Sequence, residues 1–156
     1  MLEVLIEVAS RPEAGDILTS EVRRSEIAYL VSIGVESDQL PAGYDNVSRK
    51  LRLLIADVVT DEGASEDDVR QIIELAATVR ELKGTVLIHC EAGISRSPAA
   101  ALVMYACWLG PGREREAMDR VLSQRPIAMP NRRIVALADK MLARGGRLLE
   151  VLSHRF

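Results

Sequence analysis

The segment from Thr85 to His89 constrains the fold of this 156-residue chain more than any other. Its residues, TVLIH, form a short and continuous apolar run, which is typical of a strand buried on both faces. An amphipathic helix precedes this strand, and its start is marked by a capping box formed by Ser65 and Asp68. A wholly apolar helix from Pro98 to about Leu109 follows the strand. A doubly buried strand between two helices indicates a parallel sheet that is covered by helices.

Weaker patterns supply the remaining elements. The helix after Ser65 is predicted to end at Lys83 and Gly84, because lysine and then glycine are helix-stop residues. The other predicted elements are strands at 2–8, 27–33 and 51–55, one short helix within 11–24, and helices near 113–124 and near 131–144. We therefore predict a single α/β domain over residues 1–156. It is a three-layer sandwich with a mostly parallel central sheet of about four to five strands flanked by helices.

Composition argues against several classes of partner. Hydrophobic residues make up 48% and charged residues 28% of the chain, and the formal net charge is −3. This charge provides no basic field for nucleic acid or anionic lipid, and 3% aromatic residues are too few to stack bases. No apolar run approaches the roughly 20 residues of a membrane helix. We expect no nucleic-acid partner and no membrane partner.

Cysteine content bears on the compartment. Two cysteines, Cys90 and Cys107, are too few for a disulfide framework, and a reducing compartment is the simpler interpretation. Cys107 lies within the apolar helix and is predicted to be a core residue. The amino-terminal residues lack the basic region of a signal peptide, so we expect a cytoplasmic domain.

The nine residues HCEAGISRS, at 89–97, carry the chemistry of the chain. Cys90 lies just past the carboxyl end of the predicted central strand, where open α/β sheets bind ligands. Arg96 offers a planar fork of donors to two oxygens of a tetrahedral anion, and a helix that begins near Ser97 directs its positive end to the same point. Glycine in the intervening loop permits a conformation in which successive backbone N–H groups converge on an anion. The predicted phosphate-binding residues are Glu91, Ala92, Gly93, Ile94, Ser95 and Arg96.

The same donors favour a thiolate over a thiol at Cys90, and a thiolate behind a bound phosphate is a nucleophile. Two neighbours have roles that the sequence leaves open. His89 either orders the loop through its ring or is an inert core histidine. Ser97 either hydrogen-bonds the sulfur and eases its departure, or only caps the next helix.

A leaving alkoxide or phenoxide needs a proton, so a general acid is expected. Asp57, Asp61 and Glu62 follow the predicted strand at 51–55, whose carboxyl end opens on the same side as the cysteine loop. We favour Asp57 because it comes directly after the strand, with Asp61 as the second candidate. No metal ion and no cofactor are predicted.

HCEAGISRS resembles the signature of cysteine-dependent protein tyrosine phosphatases, particularly the small dual-specificity type: His, Cys, five residues, Arg, Ser. Asp57 precedes Cys90 by about the interval at which such enzymes carry their acid, and Pro130-Asn131 looks like the turn that often follows the signature. The chain also looks like compact bacterial tyrosine-phosphatase-like proteins. The resemblance implies a metal-free mechanism in which Cys90 attacks phosphorus and Asp57 acts first as acid and then as base. The implied substrate is a phosphorylated protein or a small phosphomonoester.

Other classes share part of this pattern. A rhodanese-like sulfur carrier or an arsenate reductase also places a cysteine in an anion-binding loop, but neither needs an acid on a second loop. A non-catalytic module that binds phosphate or phosphopeptides would keep the loop and usually lose the cysteine, the arginine or the acid. Glu91 occupies a loop position where lipid-phosphate relatives favour lysine, which disfavours polyphosphorylated inositol lipids.

Overall fold

Residues 4–153 are described in the computed structural model, and they form one parallel sheet between two layers of helices. All of the strand pairs in these residues are parallel, and the spatial order is β1-β4-β2-β3. The strands are β1 (Val4–Ala9), β2 (Ile27–Gly34), β3 (Lys50–Leu54) and β4 (Gly84–His89). The predicted three-layer α/β architecture is confirmed, with four strands in the sheet.

Seven α-helices and one short 3₁₀ helix, Tyr44–Asn46, surround the sheet in the described part of the chain. The α-helices are α1 (Arg11–Thr19), α2 (Glu21–Ser25), α3 (Glu66–Val79), α4 (Arg96–Leu109), α5 (Glu114–Gln124), α6 (Arg132–Met141) and α7 (Arg147–Ser153). Helix α1 packs on one face of the sheet, and α3 to α7 contribute to the larger core on the other face. No helix within residues 4–153 is long and apolar enough to span a lipid bilayer.

Strand β4 is buried on both faces, as its apolar sequence predicts. Val86, Leu87 and Ile88 have no exposed surface, and β1 and β2 flank the strand on either side. Leu87 packs in the smaller core with α1, whereas Val86 and Ile88 pack in the larger core. This division follows from the alternation of side chains along a strand. Cys90, two residues beyond Ile88, packs in the larger core as well.

Two helix predictions are corrected by the structure. The segment 11–24 holds two helices instead of one, because Ser20 ends α1 and its hydroxyl then caps α2 by accepting from the backbone N–H of Arg23 at 3.2 Å. Helix α3 has the predicted capping box but ends at Val79, earlier than Lys83 and Gly84. Gly84 instead begins β4 with a φ of +116°, and a Cβ there would lie 2.9 Å from the carbonyl oxygen of Glu26.

The parallel topology brings the site segments together. Strands β1, β3 and β4 all end at the same edge of the sheet, since parallel strands share one direction. The segments that follow them are the start of α1, the loop that carries Asp57, and the loop that carries Cys90. The predicted strand at 2–8 corresponds to β1, and its first two residues lie outside the described part of the chain.

Candidate active site

Cys90 lies at the base of the loop between β4 and α4. Its side chain is buried, with 2% of the residue exposed, and its Sγ atom is 3.0 Å from the Oγ atom of Ser97. Ser97 is the second residue of α4, so the amino end of this helix adjoins the sulfur. When the sulfur is a thiolate it can only accept, and the Ser97 hydroxyl is then the donor.

The backbone of residues 91–95 is held from outside, through its carbonyl oxygens. All five of them accept hydrogen bonds from other parts of the chain. The backbone N–H of Arg11 donates to the carbonyl of Glu91 at 3.0 Å. The side chain of Arg125 donates to the carbonyls of Ala92 at 3.1 Å and Gly93 at 3.0 Å. The backbone N–H groups of Met129 and Asn131 donate to the carbonyls of Ile94 at 2.7 Å and Ser95 at 3.0 Å.

The backbone N–H groups of this loop are therefore turned toward its centre. A trans peptide unit directs its C=O and the following N–H in opposite directions, so outward carbonyls at 91–95 give inward N–H groups at 92–96. No acceptor within residues 4–153 receives a hydrogen bond from the N–H groups of residues 92–95. Unpaired, convergent N–H groups of this kind make an anion-binding nest.

Gly93 is required by this geometry. Its φ is +69°, a left-handed conformation that side chains other than glycine disfavour. A Cβ added to it would lie 2.6 Å from an Nη atom of Arg125 and 2.8 Å from the carbonyl carbon of Ala9. Any larger residue at this position would collide with Arg125 and with the backbone of Ala9, and would displace the loop.

Arg125 is a site residue that sequence reasoning missed. In addition to its two bonds to the loop, its guanidinium pairs with both carboxylate oxygens of Glu13 at 2.8 and 3.1 Å. Glu13 in turn forms the capping box of α1 with Ser10. The hydrogen bond from Arg125, followed by those from Ser10, lowers the pKa of Glu13 to about 2. The start of α1 thus supports the loop indirectly through the Glu13–Arg125 ion pair, in addition to the direct contact of Arg11 with Glu91.

His89 is connected at both ring nitrogens. Its Nδ1 atom lies 3.0 Å from the carbonyl oxygen of Cys90, and this oxygen can only accept, so Nδ1 carries the hydrogen. Its Nε2 atom lies 2.7 Å from the hydroxyl of Ser32, which donates to Nε2 in this tautomer and accepts from Arg52 at 2.9 Å. Burial lowers the pKa of His89, and the nearby charge of Arg52 lowers it further, which favours a neutral ring. Of the two roles left open, this geometry favours loop ordering.

Arg96 is nearly buried, with 7% of the residue exposed, and it lacks a carboxylate partner in the described part of the chain. One Nη atom donates to the carbonyl oxygen of Ile55 at 2.8 Å, which directs the guanidinium beside the loop that carries Asp57. The Nε atom is buried and has no hydrogen-bond partner within residues 4–153. A buried cationic donor without a partner is costly, and a bound anion would satisfy it.

Asp57 is tied to the cysteine loop. One carboxylate oxygen accepts from the hydroxyl of Ser95 at 2.7 Å and from the side-chain amide of Asn131 at 3.1 Å. The same amide donates to the carbonyl of Val58, and the Asn131 side-chain oxygen caps α6 by accepting from the N–H of Ile134 at 3.1 Å. Asn131 is therefore both the cap of α6 and a support for Asp57.

The other acids of this segment are not connected in the same way. Asp61 and Glu62 are exposed, and no hydrogen bond or ion pair within residues 4–153 joins either of them to the cysteine loop. The geometry therefore favours Asp57 over Asp61 as the acid. Glu91 is directed outward as well, and its carboxylate pairs with the guanidinium of Arg11 at 3.0 Å.

Some of the supporting residues that sequence analysis missed stand out in the sequence pattern, and others do not. Ser32 and Arg52 are polar residues within strands that otherwise read as apolar, and such interruptions could have suggested a buried polar network. Arg125 leaves no such signal, because it lies at the end of a charged amphipathic helix and looks like an ordinary surface arginine.

This fold and this loop define a class of protein, and comparison with known families gives the same class. The family described as dual specificity phosphatase, catalytic domain, matches residues 15–139. Since the match covers most of the chain, the protein belongs to the dual specificity phosphatase catalytic-domain family.

Individual relatives agree with this assignment. The chain is 40% identical to human dual specificity protein phosphatase 5 over 62 residues, which is 40% of the chain and 16% of that relative's length. Human DUSP28 superposes with a TM-score of 0.67 at 20% identity, covering 88% of this chain and 91% of that one. DUSP15 gives a TM-score of 0.67 at 24% identity, with 97% and 92% covered. At these identities the two structures establish the shared fold.

Proposed function

We propose that this protein is a cysteine-dependent phosphomonoester hydrolase, a protein tyrosine or dual-specificity phosphatase that acts through a phosphocysteine intermediate. The observation that carries the proposal is the unpartnered, buried Nε of Arg96 beside a ring of unpaired backbone N–H groups, with the sulfur of Cys90 at its base. Cationic and N–H donors of this kind match the oxygens of a phosphate, and the sulfur supplies the nucleophile.

In the first step, the N–H groups of residues 92–96 and the Arg96 guanidinium bind the three non-bridging oxygens. The thiolate of Cys90 attacks phosphorus, a sulfur–phosphorus bond forms, and the bond from phosphorus to the substrate oxygen breaks. Asp57, in its protonated form, donates a proton to the leaving oxygen. The fixed donors stabilise the charge that spreads over the equatorial oxygens in the transition state.

In the second step, water attacks the phosphocysteine and Asp57 accepts a proton from that water. The sulfur–phosphorus bond breaks, inorganic phosphate leaves, and the thiolate returns. Ser97, 3.0 Å from the sulfur, donates a hydrogen bond that stabilises the departing thiolate. His89 acts as a positioning residue, because its Nδ1–H fixes the carbonyl of Cys90 and hence the start of the loop.

The alternatives explain less of this arrangement. A sulfur carrier, an arsenate reductase or a binding module has no use for a carboxylate hydrogen-bonded to the loop, as Asp57 is through Ser95. The proposed substrates are phosphorylated proteins or small phosphomonoesters. A cytoplasmic location is part of the proposal, since the nucleophile must remain a reduced thiolate.

The proposal is tested by hydrolysis of p-nitrophenyl phosphate, measured from acid to neutral pH. Wild-type protein is compared with Cys90→Ser and with the matched variant Cys107→Ser, which removes the other thiol. We expect turnover by the wild type and by Cys107→Ser, and none by Cys90→Ser. Chelators are expected to leave the rate unchanged, because the proposed steps require no metal ion.

Two outcomes would contradict the proposal in different ways. No turnover by folded, fully reduced wild type that is nevertheless stabilised by phosphate against thermal unfolding would identify a phosphate-binding module. A rate that chelators abolish and an added metal ion restores would show that the mechanism is wrong.

A further inference from the structure

Exposed apolar side chains are concentrated around the candidate site. Within residues 4–153, nine large hydrophobic residues are exposed, and five of them lie on the segments that build the site. We call these five the apolar rim: Val58, Val59, Ile94, Ile127 and Met129. Single exposed apolar residues are ordinary, whereas a group beside a ligand site is typical of an interaction surface.

Hydrogen bonds join parts of the rim to the phosphate cradle, by which we mean the backbone N–H groups of residues 92–96 and the Arg96 guanidinium. Val58 follows Asp57, and its carbonyl accepts from the side-chain amide of Asn131. The carbonyl of Ile94 accepts from the N–H of Met129 at 2.7 Å. Val58, Ile94 and Met129 therefore lie on segments that are hydrogen-bonded to the phosphate-binding loop or follow the proposed acid. Val59 and Ile127 lie one and two residues along the chain from Val58 and Met129.

The rim continues into a cavity beside Met129. This cavity has a volume of about 210 Å³ and is lined by Met129, Pro130, Arg132, Leu152 and Ser153. Met129 has 61% and Val59 has 63% of their surface exposed, so both can lose much contact with water on binding. An apolar side chain of a partner could be buried against them while its neighbouring phosphate occupies the cradle.

We propose that the apolar rim binds apolar side chains next to the phosphorylated residue of a protein substrate. The proposal rests on the proposed function, and it narrows the substrate to extended segments of phosphoproteins with hydrophobic neighbours. A small phosphomonoester reaches only the cradle and leaves the rim exposed to water. A segment with apolar residues on both sides of its phosphate covers the cradle and the rim together.

Charge near the rim argues against a lipid surface as its partner. Asp61 and Glu62 are exposed on the same segment as Val58 and Val59. These two carboxylates outnumber Arg132, the exposed cation in the lining of the cavity, so the charge around the rim repels an anionic membrane. The guanidinium of Arg11, on the other side of the loop, already pairs with Glu91. An uncharged, apolar stretch of polypeptide is not repelled by the carboxylates and needs no unpaired cation to bind.

The test measures binding, so that it does not depend on turnover. A labelled phosphotyrosine peptide with leucine on both sides of the phosphotyrosine is compared with the same peptide carrying serine at those positions, by fluorescence anisotropy on the Cys90→Ser protein. We expect the leucine peptide to bind about tenfold more tightly, since burial of one leucine side chain is worth at least that factor. Adding Val59→Ser and Met129→Ser should reduce the ratio to about twofold or less.

The matched control is Val22→Ser, which removes an exposed valine of α2 that is 72% exposed and lies outside the rim. It should leave the ratio unchanged, and circular dichroism checks that every variant is folded. Equal affinities for the two peptides would overturn the proposal, as would a ratio that the rim substitutions leave unaltered. Tight binding of the leucine peptide without its phosphate would also overturn it, because the surface would then be merely adhesive.

The membrane alternative has its own signature. Wild-type protein is sedimented with phosphatidylcholine vesicles that contain a phosphoinositide. Sedimentation that the rim substitutions abolish, together with equal binding of the two peptides, would show that the rim is a lipid-binding surface and that the proposal is wrong. Failure of the proposed function gives a different result from failure of this inference. Hydrolysis of p-nitrophenyl phosphate would then be absent, while the leucine peptide would still bind more tightly than the serine peptide.

Discussion

The Sγ atom of Cys90 and the Oγ atom of Ser97 are 3.0 Å apart, and the two residues act in different steps of the proposed reaction. In the proposed mechanism Cys90 attacks phosphorus in the first step, whereas the hydroxyl of Ser97 acts in the second step, when the sulfur leaves as a thiolate. Ser97 is not the cap of α4, because Ser95 occupies the N-cap position and Ser97 is the second residue of the helix. The geometry supports a kinetic role for Ser97.

Replacement of Ser97 by alanine should therefore slow the second step more than the first. A hydrogen bond to a charged group is worth about 1.5–3 kcal/mol, so breakdown of the phosphocysteine should slow by roughly tenfold to a hundredfold. Stopped-flow measurement should show a burst of p-nitrophenolate followed by a slow steady rate. Ser123→Ala, on the exposed face of α5, serves as the control and should show no burst. A Ser97→Ala protein with the same time course as wild type would leave that serine only a structural role.

The two cysteines should differ in reactivity. Burial raises the pKa of Cys107, so this thiol stays protonated near neutral pH. Cys90 adjoins an anion-binding loop that attracts the carboxylate of iodoacetate, and it should be alkylated much faster. Peptide mapping by mass spectrometry measures both rates, and inorganic phosphate should protect Cys90 alone. Equal rates, or equal protection, would argue against the cradle.

At the scale of elements, helix α1 supports the phosphate loop through a side chain of the loop that follows α5. Glu13, in the first turn of α1, holds the guanidinium of Arg125, and Arg125 holds the carbonyls of Ala92 and Gly93. The planar fork of arginine can make these bonds at once, whereas the single ammonium of lysine cannot. In the proposed mechanism Arg125 is a positioning residue, because its contacts are with the loop carbonyls.

Substitution of Arg125 by lysine should loosen the loop while keeping the charge. We expect the KM for p-nitrophenyl phosphate to rise by about tenfold, the cost of roughly one charge-assisted hydrogen bond. Stabilisation of the protein by phosphate in thermal unfolding should fall in parallel. Arg70→Lys, which alters an exposed ion pair with Asp67 on α3, is the matched control. A lower melting temperature with unchanged KM and unchanged phosphate stabilisation would show a purely structural role.

The ion pair of Glu13 predicts a pH dependence of stability. Its pKa is lowered from 4.5 to about 2, so the pair stabilises the fold above pH 4.5, and the contribution is lost as the pH falls toward about 2. The Glu13 side chain is 52% exposed, and screening by water limits the effect to at most about 1 kcal/mol. Urea unfolding of wild type and Glu13→Gln should therefore differ near neutral pH and converge in acid. A difference that grew as the pH fell would contradict this assignment.

At the scale of the whole molecule, the parallel sheet explains why residues distant in sequence meet. Strands β3 and β4 end at one edge, so that Asp57 reaches the loop of Cys90 although α3 separates them in the chain. Asn131, which follows α5, completes the contact from a third segment. The site is thus a product of the topology as well as of its signature.

Local sequence was sufficient for the features that depend on local patterns. The apolar run of β4 and the capping box at Ser65 predicted their elements, and the spacing of Cys90 and Arg96 predicted an anion-binding loop. The end of α3 was misplaced, because Gly84 serves a close approach to Glu26 that no local pattern reveals.

The same limit applies to the supports of the site. The bonds from Arg125 and Ser32 join residues far apart in the chain, and such pairs follow from tertiary packing rather than from spacing. The residues next to Arg125 and Ser32 in the sequence do not indicate that either side chain supports the site. The signature therefore predicts which residues do the chemistry, and the fold is needed to see what holds them in place.

The most direct test of the account is to look for the covalent intermediate. Wild-type and Ser97→Ala protein are mixed with p-nitrophenyl phosphate, quenched in acid within the burst, and analysed by mass spectrometry of the peptide that contains Cys90. The account predicts one phosphoryl group on Cys90, more abundant in the Ser97→Ala protein and absent from Cys90→Ser. Steady turnover with an unmodified Cys90 at every time point, in both proteins, would contradict it.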